Sequence, residues 1–446
     1  MTTSPRQQAP LTLQRADGKR LATLMWIALW GIAVGLTLST VQKYANQQGG
    51  DLHNYFYPAA RMLVTGEWQL LDPTERGTFN TSYLPVTFLL FVPFSTLPWL
   101  VAAAAWSVFS VICLLLTVVI GGQLIGTQLR TMIDAATLPT AAVLTIALLV
   151  AKIVADLNLG QIDILLGLLL VLAIKWLPNR PLQAGAVLAL VAAFKMVGLI
   201  FLPWLLLRRA WRAAAALVVT YVVLWLAMVP WLGWRVASEF FVLLVQGPDP
   251  ALQHTVASEG GFAATSLSAA AGLRRLLESM DVDLGTAVPL MMLGGMGLFA
   301  MYVYRRYGKP LFNRRINADR SLDLVEFACI PAAAIVLHSY SHNRHWCFAI
   351  LLFLILAQLL IVPGPRRSRA VLLGVALALM LQQLHVADAL GFGEAWARFG
   401  GTGWLMLLVL LSVLWAVLRD TPTNRLQMPD HASAAKAAVA CPATGD

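Results

Sequence analysis

The chain has 446 residues, of which 59% are hydrophobic and only 12% charged, and its mean hydropathy is +0.72. Soluble globular domains hold about 45–50% apolar residues, so this composition excludes a water-soluble globule and implies an integral membrane protein. The net charge of +10 would suit nucleic acid, but Lys and Arg fall in short loops and tails between apolar segments rather than along one face, which points to membrane topology instead.

Residues 1–20 are polar and basic, with Arg6, Arg15, Lys19 and Arg20 ahead of the first apolar segment. That segment is too long for a signal-peptide core and lacks a small-residue cleavage site, so it reads as a retained span. About twenty apolar residues cross the hydrocarbon as a helix. By that criterion about twelve crossings are predicted, near 22–41, 84–97, 100–120, 136–151, 161–177, 182–207, 212–232, 285–304, 323–338, 346–362, 370–390 and 402–418.

The expected fold is therefore an all-α, polytopic bundle. Two larger outer loops, 42–83 and 234–284, are predicted to carry short interfacial helices near 53–64 and 265–277. Arg305, Arg306, Lys309, Arg314, Arg315 and Arg320 form one connecting loop, and Arg366, Arg367 and Arg369 another. The positive-inside rule puts both, with the N-terminus, in the cytoplasm. An even number of crossings then returns 421–446, rich in Pro, Thr, Ala and Asp, to the cytoplasm. Residues 21–420 form a single transmembrane domain between two tails.

Directly after the first span comes Asp51-Leu52-His53-Asn54-Tyr55-Phe56-Tyr57-Pro58-Ala59-Ala60-Arg61. An acid at a membrane surface suits a general base that takes a proton from a sugar hydroxyl; capping the helix that follows is the alternative role. Tyr83-Leu84-Pro85 brings a phenol to the rim of the next segment, where Tyr also serves as an interfacial anchor. Asp156, Asn158, Gln161 and Asp163 cluster in the connection 152–163, which any polar connection between spans also explains.

Lys195 lies midway along an apolar segment, where an ionisable side chain is costly and points to function unless it snorkels. Further on, His338-Ser339-Tyr340-Ser341-His342-Asn343-Arg344-His345 joins two spans and holds three of the seven His in the chain. With Arg344 in its midst and no carboxylate nearby, this turn suits an anion such as phosphate better than a metal, and a plain polar turn is the alternative. Cys113, Cys329, Cys347 and Cys441 lack metal-ligand spacing. No phosphate-cradling loop, dinucleotide fingerprint or nucleotide-sized soluble domain is present in the sequence. An activated substrate would have to arrive through the bilayer, as a lipid-linked sugar phosphate does.

These residues resemble glycosyltransferase family 87, integral membrane enzymes of the C-type superfamily that use polyprenyl-phosphate sugars. The resemblance rests on Asp51 and Tyr55 with Ala59-Ala60 and Gly66, Tyr83-Leu84-Pro85 with Pro93 and Leu97-Pro98, and Gly160-Gln161. It continues through Lys195 with Pro203 and Arg208-Arg209, Ser266-Leu267 with Arg274 or Arg275, and Ser339 with His345. Tyr340 and Trp346 depart from the pattern, which usually has Pro and a second His there, and Ala264-Thr265 replace an amide pair.

The resemblance implies an inverting transferase that moves a single sugar, mannose, from a polyprenyl phosphate to a glycan or glycolipid acceptor. Asp51 would be the catalytic base and His345 the active-site histidine. Tyr55, Arg61, Tyr83, Lys195, Ser266, Arg274, Arg275, His342 and Arg344 would bind substrate, with no metal, cofactor or nucleic acid required. The implied location is the bacterial inner membrane, with the site facing outward. A flippase for a lipid-linked saccharide, or a polysaccharide ligase or polymerase, is the alternative, though the inverted repeats that would favour a transporter are absent from the sequence.

Overall fold

The computed structural model describes residues 9–46, 50–67, 84–129, 137–230, 233–235, 237–238, 266–282, 287–312, 314–337, 343–362 and 365–420. Among them there is no strand. The helices are α1 (Ala9–Asn46), α2 (Tyr57–Thr65), α3 (Val86–Leu89), α4 (Val92–Ser95), α5 (Trp99–Gln128), α6 (Thr137–Leu159), α7 (Asp163–Trp176), α8 (Pro181–Phe194) and α9 (Phe201–Leu207). They continue as α10 (Trp211–Leu226), α11 (Ala269–Glu278), α12 (Ala287–Arg306), α13 (Arg320–Leu337), α14 (Ile350–Ile361), α15 (Arg366–Gln383), α16 (Val386–Ala389), α17 (Gly393–Arg398) and α18 (Gly401–Asp420). A π-helical turn, Leu52–Phe56, leads into α2, and 3-10 turns at Met196–Ile200 and Asn343–Ala349 lead into α9 and α14.

Among the described residues, five stretches, Gly18–Asn46, α5, α6, α12 and α18, are long and apolar enough to cross a bilayer. α1 exposes Leu24, Ile27, Trp30, Val34 and Leu38. Such a face suits contact with hydrocarbon, which a helix can meet because its backbone bonds are internal. The helix starts at Ala9 and so runs into the segment expected as a tail.

Two expected spans differ. Residues 84–97 do not form a crossing helix. They fold as α3 and α4, each a single turn about 6 Å long, with Pro85 and Pro93 at their starts. The middle and the end of this stretch stay beside the start of α2: Phe56 stacks on Phe91 at 4.5 Å, and the Tyr57 hydroxyl donates to Leu97 O at 2.8 Å. Residues 182–207, by contrast, are not one span. Lys195 is extended (φ −148°, ψ 134°), and Gly198 then lies so close to Leu188 and Ala192 that the chain doubles back along α8. Only a glycine fits there, since a Cβ would sit 2.3 Å from Ala192 N.

Side-chain contacts sort the turns into two ends. At one end Arg208 pairs with Glu326 at 2.7 Å, and Arg314 reaches both Asp323 (2.6 Å) and Glu326 (2.7 Å). Trp204 and Tyr304 also donate to Glu326. Burial pulls the Arg314 guanidinium down, but Glu326 and Asp323 outweigh it and its pKa is raised. Ser321 donates to Gln128 O, and Ser368 to Asp420, so the last turns of α5 and α18 belong to this end with the Arg-rich loops. At the opposite end the Tyr44 hydroxyl donates to Leu157 O, and Thr87 to Ala193 O. That end holds the residues of interest.

Candidate active site

Asp51 is fixed by a close crossing of two backbones. Gly50 (φ +83°) lies against Leu159, and Gly160 (φ +67°) lies against Leu52 and the Tyr44 hydroxyl. A Cβ on Gly160 would fall 2.3 Å from Leu52 Cβ, so glycine satisfies both the left-handed backbone and the contact. Asp51 itself is half-buried and already helical (φ −71°, ψ −29°), and its side chain makes no capping hydrogen bond to the π-helical turn. The capping alternative therefore does not describe it.

The crossing sets Asp51 beside the α6–α7 junction. Lys152 and Asp156 sit one turn apart on α6, and both are buried, as are Gln161 and Asp163. Tyr44 lies within electrostatic reach of Asp156 and of Asp51. Asp163 opens α7 and forms an ion pair with Lys195, the residue that ends α8; the carboxylate is fully buried and the ammonium side chain 14% exposed. Around the thiol of Cys347 gather Asp156, Asp163, Lys195 and Lys152.

The turn Asn343–Ala349 docks on the same junction. Gly167 of α7 lets the Cys347 carbonyl approach to where a Cβ would be 2.9 Å away. Trp346 is buried with the Lys152 ammonium 5.3 Å from its ring centre, and the half-buried His345 stacks on Phe348 at 5.8 Å. Trp99 completes the rim, edge-on to Tyr44, His53 and Tyr57 at 5.7, 4.8 and 5.5 Å.

Asp51, Lys195 and His345 thus sit at one end of the bundle on elements packed against the α6–α7 junction. Tyr55 is half-buried in the π-helical turn, and Arg61 is exposed on α2. Ser266 is buried, and its carbonyl accepts from Arg275, which also donates to Arg398 O; this guanidinium ties 266–268 to the α17–α18 turn. Arg274 is exposed and pairs with Glu278 at 2.6 Å. Tyr83 and His342 lie outside the described residues, and so does the side chain of Arg344. Lys152 went unremarked in the sequence because it falls one residue past an apolar run. Asp163 has a better signal: a lone Lys195 in an apolar segment needs a counter-charge, and this carboxylate supplies it.

The profile of glycosyltransferase family 87 matches residues 81–318, more than half of the chain. The chain belongs to glycosyltransferase family 87. The matched stretch of this membrane glycosyltransferase includes Lys152, Asp156, Asp163 and Lys195, whereas Asp51 precedes it and His345 follows it. Two solved structures of ArnT from Cupriavidus metallidurans align with it. The apo form shares 15% identity over 90% of this chain and 78% of its own, with a TM-score of 0.41. The form bound to undecaprenyl phosphate shares 14% over 88% and 77%, with a TM-score of 0.39. No curated protein matches the glycosyltransferase.

Proposed function

We propose that this glycosyltransferase moves one mannose from a polyprenyl phosphate to a glycan or glycolipid acceptor on the outer side of a bacterial inner membrane. The observation that supports it most is that Asp51, Lys195 and His345 all lie at the end opposite the Arg-rich loops, on elements packed against the α6–α7 junction. If those loops are cytoplasmic by the positive-inside rule, the acid, the cation and the histidine face outward. The tails 1–20 and 421–446 then lie inside.

The number of crossings stays at twelve under this reading, although their identity shifts. The stretch 84–97 drops out, and 196–207 joins as the return limb after Lys195. That exchange puts 152–163 on the same side as Asp51.

In the reaction the acceptor oxygen attacks the anomeric carbon and the bond from that carbon to the phosphate oxygen breaks, with inversion. The acceptor proton passes to the Asp51 carboxylate. The bonding electron pair leaves with the lipid phosphate, whose charge grows in the transition state. Lys195 and His345, with Arg344 and His342 beside His345 in the chain, are suited to stabilise that charge, since cations held ready for a developing anion need no reorganisation. Tyr55, Arg61, Tyr83 and Ser266, with Arg274 and Arg275 behind, complete the substrate-binding set. In this reading the cations do the work that a metal would otherwise do.

The test is to incubate purified protein with a panel of labelled polyprenyl-phosphate sugars and acceptor glycolipid. Free polyprenyl phosphate should appear, fastest with mannose. A flippase or an oligosaccharide polymerase would release none from these donors, and that result would overturn the proposal.

A further inference from the structure

Asp163 is more deeply buried than any ordinary surface pairing requires. Its side chain is fully enclosed at the first turn of α7, one oxygen is bound to the Lys195 ammonium, and the other accepts no hydrogen bond among the described residues. Lys195 in turn closes α8 with an extended backbone, so the helix breaks at the residue that bears the cation. A buried carboxylate is expensive unless its partner is held in good geometry. An apolar residue pair at these two positions would hold the helices together as well, which leaves the retained charges to be explained by what Lys195 does.

We propose that Asp163 is a positioning residue for the sugar transfer proposed above, and the idea rests on that reading. Its carboxylate holds the Lys195 ammonium at the helix break, aimed at the lipid phosphate of the donor. In the bound donor the phosphodiester carries one negative charge and must compete with Asp163 for the ammonium. As the sugar departs, the phosphate moves toward a second negative charge and competes better. Lys195 keeps its proton throughout and only shifts hydrogen-bond strength from Asp163 to the leaving oxygen. The pairing thereby makes the lysine stabilise the transition state more than the ground state, which is the kind of interaction that raises kcat.

The experiment is a double-mutant cycle on the full-length protein with Asp163→Asn, Lys195→Met and the pair combined, following release of polyprenyl phosphate and thermal unfolding in parallel. Asp163→Asn should lower kcat by about 10²-fold, the loss that a misplaced reacting group produces. Lys195→Met, which strands a buried carboxylate, should lower both turnover and melting temperature. The combined variant should regain the melting temperature while its turnover stays at that of Lys195→Met. Asp163→Glu keeps the charge pair but displaces the ammonium and adds one methylene to a buried site, so it should lose turnover with an unchanged donor KM and a melting temperature that falls less than that of Lys195→Met.

Recovered turnover in the combined variant would make the pair purely structural and overturn the proposal. So would a further loss from Asp163→Asn in the Lys195→Met background, or wild-type turnover in Asp163→Glu. If the wild-type protein releases no lipid phosphate from any donor, the sugar-transfer reading falls and this role with it; if it does and the Asp163 variants match it, only the role of Asp163 falls.

Discussion

Replacing Gly160 by alanine tests how Asp51 is held. The residue has φ +67°, a region in which a Cβ costs about 1–2 kcal/mol, and the added carbon would sit 2.3 Å from Leu52 Cβ and 2.7 Å from the Tyr44 hydroxyl. Overpacking of that kind adds about 1–3 kcal/mol, so the total loss is about 2–5 kcal/mol. Gly391 serves as the control, because its φ is +79° and nothing lies within 4 Å of the same added carbon. Gly391→Ala should lose only the backbone share, about 1–2 kcal/mol. The neighbour that must yield at Gly160 is Leu52, next to Asp51, and a shift of about 1 Å at a reacting group lowers turnover by about 10²-fold. Chemical unfolding in detergent and turnover on a lipid-linked donor read the two effects separately. Equal stability and equal turnover in the two variants would refute the claim that the 50–52 and 159–160 crossing positions the carboxylate.

At the opposite end, Glu326→Ala strips a carboxylate from the buried guanidiniums of Arg208 and Arg314, and thermal unfolding should show a loss of about 3–5 kcal/mol. Arg274→Ala removes an exposed pair with Glu278; its effect on unfolding should stay below about 1 kcal/mol. Trp346→Ala empties a buried site under Lys152 and should lower unfolding stability by about 3–5 kcal/mol. Trp346→Phe, which keeps an aromatic face for the ammonium, should lose clearly less in the same assay.

Hydropathy made the five long apolar helices among the described residues legible, because a run such as 402–418 is almost wholly apolar and α18 spans it. It failed where apolar residues face protein rather than lipid. Phe88 and Phe91 are buried, Phe91 against Phe56 and Trp106. The stretch 84–97 was therefore apolar enough to read as a span, while Pro85 and Pro93 fix two separate helix starts. Residues 182–207 failed in the opposite sense, since a continuous apolar run hides a reversal that depends on the extended backbone of Lys195 and on Gly198 fitting against α8.

The site was legible in proportion to how local its signals are. Asp51 stood out as a charge beside a span, and the capping role that competed with it required a hydrogen bond that the fold does not form. Lys195 stood out as a charge inside an apolar segment. Asp163 showed only as one member of a polar connection, because its partner lies 32 residues away and the pairing exists only once α7 and α8 are packed. Arg275 illustrates the converse: a cation that motif order marked for substrate donates to two protein carbonyls. Trp346, at a departure from the family pattern, is where Lys152 finds its aromatic face.

The most direct measurement of the central claim is single-turnover transfer by Asp51→Asn alongside the wild type, with binding of polyprenyl phosphate followed in both. A lost general base should slow sugar transfer by about 10²–10⁴-fold while lipid-phosphate binding and melting temperature hold. Near wild-type transfer by Asp51→Asn would contradict the account.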